Sequence, residues 1–198
     1  MTKIGRSQLR FEDDHLLRGK GHYTDDAQNT DDATLLFVRS PHAAARIISI
    51  GLEQAKAIKG VIAIFSWDEM RANNVRCFKP RAQYPGPDDG MMRTPPFTPL
   101  ADGHVRFCGE PVLGIIAKNI AIAELASEAV DIQFETNPAV TDVVNATLDN
   151  APSVWDVYPD NKCFHLEKGD AKKVQLANET AAHIIEHQLK ISRVTAAA

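Results

Sequence analysis

Residues 105–117, Val105-Arg106-Phe107-Cys108-Gly109-Glu110-Pro111-Val112-Leu113-Gly114-Ile115-Ile116-Ala117, decide the reading of this chain. The stretch 111–117 is a short, nearly unbroken apolar run, which predicts a strong strand. Residues 105–108 read as a strand leading into it. Gly109, two positions before Pro111, permits the tight approach between them. Glu110 reads as a surface carboxylate and Cys108 as a buried structural cysteine. A nucleophilic role for Cys108 would need an activating partner, and the one nearby candidate is His104.

Working downstream, residues 120–130 have helical spacing at Ala123, Ala126, Ala129 and Val130, and 131–135 (DIQFE) read as a final strand. Upstream, 33–39 (ATLLFVR) is a buried strand stopped by Ser40-Pro41, and 44–50 (AARIISI) a second, ended by Gly51. Leu52, Ala55 and Ile58 share one helical face, with Gly60 as the stop. Residues 61–65 (VIAIF) form a third strand. Ser66 caps a short helix over 67–72, and Glu69 completes a capping box.

Residues 73–104 differ in character, carrying Pro80, Pro85, Pro87, Pro95 and Pro96 with Gly86 and Gly90. An excursion that long in a small domain is either functional or packed against another segment. Together these elements predict an α/β or α+β domain over roughly 15–140, followed by an extended tail. The first 32 residues are rich in turn formers, with a helical turn expected over 11–17. Beyond it, 140–157 is loosely amphipathic, 158–168 reads as irregular linker and 169–177 as a short helix. Residues 182–194 read as a last strand.

The bulk properties exclude more than they specify. A chain of 198 residues with 44% hydrophobic and 24% charged side chains holds one generous domain, or one and part of another. A net charge of -4, from 22 basic and 26 acidic residues, gives no reason to expect nucleic acid or an anionic membrane. No apolar run is long enough to span a bilayer, and the opening residues lack the core of a secretory signal. Three scattered cysteines, Cys77, Cys108 and Cys163, suggest neither a disulfide framework nor metal knuckles, so a reducing cytoplasm is expected.

Several stretches together resemble one family. Arg10-Phe11-Glu12-Asp13 with Leu16-Leu17-Arg18-Gly19-Lys20-Gly21, then Thr24-Asp25-Asp26, is similar to the opening of molybdenum-hydroxylase large chains. So is Phe37-Val38-Arg39-Ser40-Pro41-His42-Ala43 with Ala45-Arg46-Ile47, and so are Val105 to Val112 and Ala123 to Glu135. Gly169-Asp170 looks like the lead-in to the cofactor domain. This is the xanthine dehydrogenase, aldehyde oxidase and carbon monoxide dehydrogenase family, and the matching part is its N-terminal a/b hammerhead domain.

The resemblance implies an arm over 1–14 and a hammerhead domain over 15–140, a mixed sheet with short flanking helices. An extended connector over 141–180 follows, then the start of a truncated molybdopterin-binding domain at 181–198, beginning with a terminal strand. It also implies a complete enzyme with molybdenum on molybdopterin, served by iron–sulfur and FAD subunits, on a substrate such as carbon monoxide, an aldehyde or an N-heterocycle. The family's catalytic glutamate and cofactor loops match no position here. No catalytic, cofactor-binding or metal residue is therefore assigned, and the chain alone is expected to be inactive. The expected partners are the remainder of the large subunit and the iron–sulfur and FAD subunits, with self-association through 182–194. A free-standing assembly module without redox chemistry is the second reading.

A third reading, a zinc metallohydrolase, rests on His183-Ile184-Ile185-Glu186-His187, an H-x-x-E-H match. On a helix the two histidines would share a face. Apolar alternation around Ile185, Leu189 and Ile191 points instead to a strand, which sets them ~13 Å apart. Asp25 to Asp32 lacks the central glycine and closing glutamate of a calcium loop. Gly19-Lys20-Gly21 does not join a strand to a strong helix, so a tight turn is expected rather than a phosphate loop.

Overall fold

The computed structural model describes residues 4–5, 7–27, 31–87 and 90–189. In chain order it forms α1 (Asp13–Leu17), β1 (Thr34–Arg39), β2 (Ala45–Gly51), α2 (Glu53–Ala57), β3 (Val61–Phe65) and α3 (Trp67–Ala72). Then come β4 (His104–Val105), β5 (Pro111–Ala117), α4 (Ile120–Glu128), β6 (Asp131–Thr136) and α5 (Ala171–Thr180). Short 3-10 turns lie at Thr24–Ala27 and Asn145–Thr147.

The apolar run becomes the central strand of one sheet. β5 lies between β1 and β3, antiparallel to both, while β2 lies between β4 and β6 in a second antiparallel sheet. The architecture is α+β, and the expected single mixed sheet is two three-stranded antiparallel ones. Side chains from the two ends of β5 enter two clusters. Val112 and Leu113 pack with Ala45, Ile47 and Phe134 of the second sheet. Ile115 and Ala117 pack under Ala55 of α2 and Ala123 and Ala126 of α4. Alanine on the inner faces of both helices lets them lie close against the sheet.

Local chemistry sets the helix starts. Ser66 and Glu69 form the reciprocal box at α3, which holds the Glu69 carboxyl below its usual range through the Ser66 hydroxyl and backbone. Asn119 and Asp170 accept from Ile122 N and Lys173 N at the starts of α4 and α5. Gly114 answers to packing: a Cβ there would sit 2.3 Å from Cζ of Phe65 on the neighbouring strand.

Two strand expectations are corrected. The strand expected over 105–108 is only the pair His104–Val105, because the chain turns at 106–110. The strand expected over 182–194 is absent from 182–189, which have no strand neighbour among the described residues; 190–194 lie outside the described residues. The loosely amphipathic stretch 140–157 makes one 3-10 turn and otherwise irregular backbone. No helix among the described residues is long and apolar enough to cross a membrane.

Ile115 is fully buried while Ile62 is 57% exposed. Ile115→Ala is expected to cost about 2–5 kcal/mol, and Ile62→Ala less than about 0.5 kcal/mol. Urea midpoints of the two variants check the contrast; equal losses would contradict this assignment of the core.

Candidate functional site

The turn ahead of β5 is pinned to the end of β1. Gly109 adopts φ +87, the left-handed region that glycine reaches freely. Its N–H donates to Ser40 O at 2.8 Å, and Ser40 N–H donates to Glu110 O at 2.9 Å. Arg39 Nη1 donates to Gly109 O at 2.8 Å. Glu110 is thereby drawn inside, with 8% exposure. Its Oε2 accepts from the backbone N–H of Arg106 across the turn. The surface carboxylate expected at 110 is thus a buried one, because it serves as the acceptor that closes its own turn. Burial pushes its carboxyl above the usual range, against the pull of the Arg106 and Phe107 backbone and the Arg106 charge.

The same turn aims the Arg106 side chain at the connector. Its guanidinium carbon lies 3.7 Å from the ring centroid of Trp155, 49 residues later in the sequence. Nη1 donates to His104 O at 3.2 Å, while Nε is shielded without a protein partner. Burial pushes Arg106 below the usual guanidinium range, opposed by Glu110, Asp102 and Asp156. A cleft of about 200 Å³ beside it is lined by His104, Asn137, Ser153 and Asp156, among others. Asn161, at φ +56, gathers the connector into a loop: its amide donates to Ala146 O and Pro152 O, and its Oδ1 accepts from Val154 N. Asparagine tolerates that backbone and supplies both bond types.

A second clamp explains the proline-rich excursion. Arg93 N–H donates to Cys163 O at 2.9 Å, and Arg93 Nη1 pairs with Asp160 at 2.5 Å. The same guanidinium sits over the Tyr158 ring at 5.5 Å. Tyr84 stacks on Phe164 with centroids 4.9 Å apart, and His165 N–H donates to Pro85 O at 3.1 Å. The excursion is packed against another segment, and that segment is the connector.

Cys108 is exposed, with Sγ 3.6 Å from Pro41 O, because the turn carries it outward rather than into a strand. The buried cysteine expected there is corrected. Gly19 closes the tight turn after α1, its N–H donating to Leu16 O. His183, Glu186 and His187 follow the end of α5 at Thr180 and are exposed, on neither helix nor strand. Among the described residues no three His, Cys, Asp or Glu side chains form a set able to hold a metal ion. Arg93, Asn161, Trp155, Tyr84 and Phe164 were invisible to sequence reasoning. Each works through a partner 7 to 80 residues away, beyond any local period.

The description "Aldehyde oxidase and xanthine dehydrogenase, a/b hammerhead domain" matches residues 18–138. The chain belongs to this family. It is 32% identical over 149 residues to the carbon monoxide dehydrogenase large chain of Afipia carboxidovorans, covering 75% of this chain and 17% of that one. It is 30% identical over 136 residues to the xanthine dehydrogenase molybdenum-binding subunit of Escherichia coli O157:H7, covering 69% and 18%. The crystal structure of quinoline 2-oxidoreductase from Pseudomonas putida 86 superposes with a TM-score of 0.63 at 33% identity, over 79% of this chain and 19% of that one. The chain spans less than a fifth of each of these proteins.

In this member of the aldehyde oxidase and xanthine dehydrogenase family the matched domain ends at 138, short of Trp155, Asp160 and Phe164. The two clamps therefore tie the hammerhead domain to the sequence beyond it. Trp155→Ala is expected to speed amide exchange across 153–161 about tenfold, from the on the order of 1–2 kcal/mol of a partly desolvated cation–π contact. Amides of β5 keep their protection in hydrogen-exchange mass spectrometry; unchanged exchange at 153–161 would contradict the clamp.

Glu110 gives a pH signature. A raised folded value means its contribution to stability is full below the ordinary carboxylate range and is lost as pH rises through the folded value. The urea midpoint of the native chain, relative to Glu110→Gln, is expected to fall as pH rises above the ordinary carboxylate range. A difference that stays flat, or rises, sinks this account.

Proposed function

We propose that this chain is the N-terminal scaffold portion of a molybdopterin-dependent oxidoreductase large subunit. On this reading the chain comprises an arm over 1–14, the hammerhead domain over 15–140, a connector over 141–180 and the beginning of a molybdopterin-binding domain from 181. The observation that carries it is the laced connector. Arg106 and Arg93 hold 153–165 against the domain, so the chain that follows leaves from a defined place. There α5 presents Val174 and Leu176, each about three-fifths exposed, to a surface supplied from elsewhere.

On this reading none of the residues of this chain is a ligand of the molybdenum cofactor. No step of the chemistry is assigned to them: their work is positional. The cofactor and the reacting groups belong to the rest of the large subunit, and iron–sulfur and FAD centres to partner subunits, in the cytoplasm. Alone, the chain turns over no substrate. Its tail offers the exposed Ile184, Ile185 and Leu189 for association with further copies.

Metal analysis separates this from a free-standing assembly module. Purified from its native source, the protein is expected in an assembly with stoichiometric molybdenum, iron and flavin. The isolated chain is expected to lack all three, and to sediment faster as its concentration rises. A native assembly without molybdenum overturns the proposal and favours the assembly module; stoichiometric zinc on the isolated chain overturns both.

A further inference from the structure

Two stretches of the excursion differ in character. One is spent on the connector, through Tyr84, Pro85 and Arg93. The other, 76–81, is exposed at all but Cys77. From 75 to 87 the sequence VRCFKPRAQYPGP carries Arg76, Lys79 and Arg81 and no carboxylate, in a chain whose net charge is -4. All three cations are exposed, and none has an ion pair or side-chain hydrogen bond to another described residue. Phe78 lies between Arg76 and Lys79 in the sequence and is 59% exposed, and its bridge partner Phe97 is 50% exposed.

This stretch is built rather than loose. Phe78 and Phe97 face each other as an antiparallel bridge, with Phe78 N–H donating to Phe97 O at 2.8 Å and ring centroids 6.0 Å apart. Gly86 is buried against Met91, where a Cβ would lie 2.1 Å from the Met91 carbonyl oxygen. The clamp to 158–165 braces the loop. An aromatic pair held in place, with cations next to it in the sequence that have no partner among the described residues, has the composition of an interface anchor, where aromatic residues and Arg are enriched. Ordering that surface beforehand lowers the cost of binding.

We infer that the 76–81 face, with Phe78 and Phe97 at its centre, docks a separate protein subunit through an acidic surface surrounding an apolar depression. The inference rests on the reading of this chain as part of a multi-subunit enzyme, and names the surface that meets another subunit. A protein fits better than a polyanion. Three cations close in sequence to an aromatic pair match a local patch of carboxylates, whereas a nucleic acid needs a row of cations along its backbone, and the overall negative charge opposes one.

Zero-length carbodiimide coupling of the native assembly, read by peptide mass spectrometry, tests this directly. Lys79 is expected to join an aspartate or glutamate of a different polypeptide. The triple variant Arg76→Glu, Lys79→Glu, Arg81→Glu and the single variant Phe78→Ser are expected to weaken that subunit's binding at least tenfold, with thermal unfolding of the chain unchanged. For the native chain the binding weakens as salt is raised. The inference is overturned if Lys79 couples only within its own polypeptide, or if both variants assemble with native affinity. It is equally overturned if the native chain binds a single-stranded DNA oligonucleotide or phosphatidylserine vesicles through these cations while subunit affinity is unaffected. Molybdenum content is measured on the same assembly, so a failure of the enzyme assignment shows as missing metal while the Lys79 coupling stands or falls separately.

Discussion

Burial of β5 is the constraint on which the remaining structure depends. Five of its seven residues are buried, and its two ends feed different clusters, one against the second sheet and one under α2 and α4. A strand with apolar side chains on both faces is stable only when both are covered, so β5 sets which elements pack on which side. It also sets where the preceding turn lies. With Pro111 at the strand's start and Ser40 hydrogen-bonded to Gly109 and Glu110, residues 106–110 have one available path. That path takes the Glu110 carboxyl inward and the Arg106 guanidinium outward onto Trp155.

The connector is held by a different kind of force from the core. Between 146 and 165 it contributes no fully buried side chain and no strand. Its order comes from a few polar and aromatic contacts: Asn161 bonding three positions of its own loop, Arg106 on Trp155, Arg93 between Asp160 and Tyr158, Tyr84 on Phe164. Each contact of this sort contributes on the order of 1 kcal/mol, so the attachment is weaker than the core and can yield without unfolding the domain. The matched family domain ends at 138, and the excursion within it reaches residues 158–165 beyond that end.

Much of the domain was legible because its information is local. The strands at 34–39, 61–65 and 111–117 are short apolar runs cut by proline or glycine, and α3 carries its start signal in Ser66 and Glu69. Strand 131–136 and the helix before it follow from spacing alone. Where the reading went wrong, a long-range partner decided the outcome. Glu110 looks like a surface carboxylate until Arg106 N–H needs an acceptor. Cys108 looks like a core residue until the turn swings it out. The terminal strand was expected from alternation, yet alternation supplies only a face, and a strand also requires a neighbour to share its hydrogen bonds.

The sequence by itself determined the α+β class, most element positions and the family, since hydrophobic period, caps and breakers act over a few residues and ordered motifs are read along the chain. Tertiary structure alone decided that the strands divide into two antiparallel sheets and that the proline-rich excursion embraces the connector. It alone decided that Arg93, Arg106, Trp155 and Asn161 are the residues joining them. These are matters of which distant groups meet, and contact across 49 or 67 residues leaves no periodic trace in the chain that makes it.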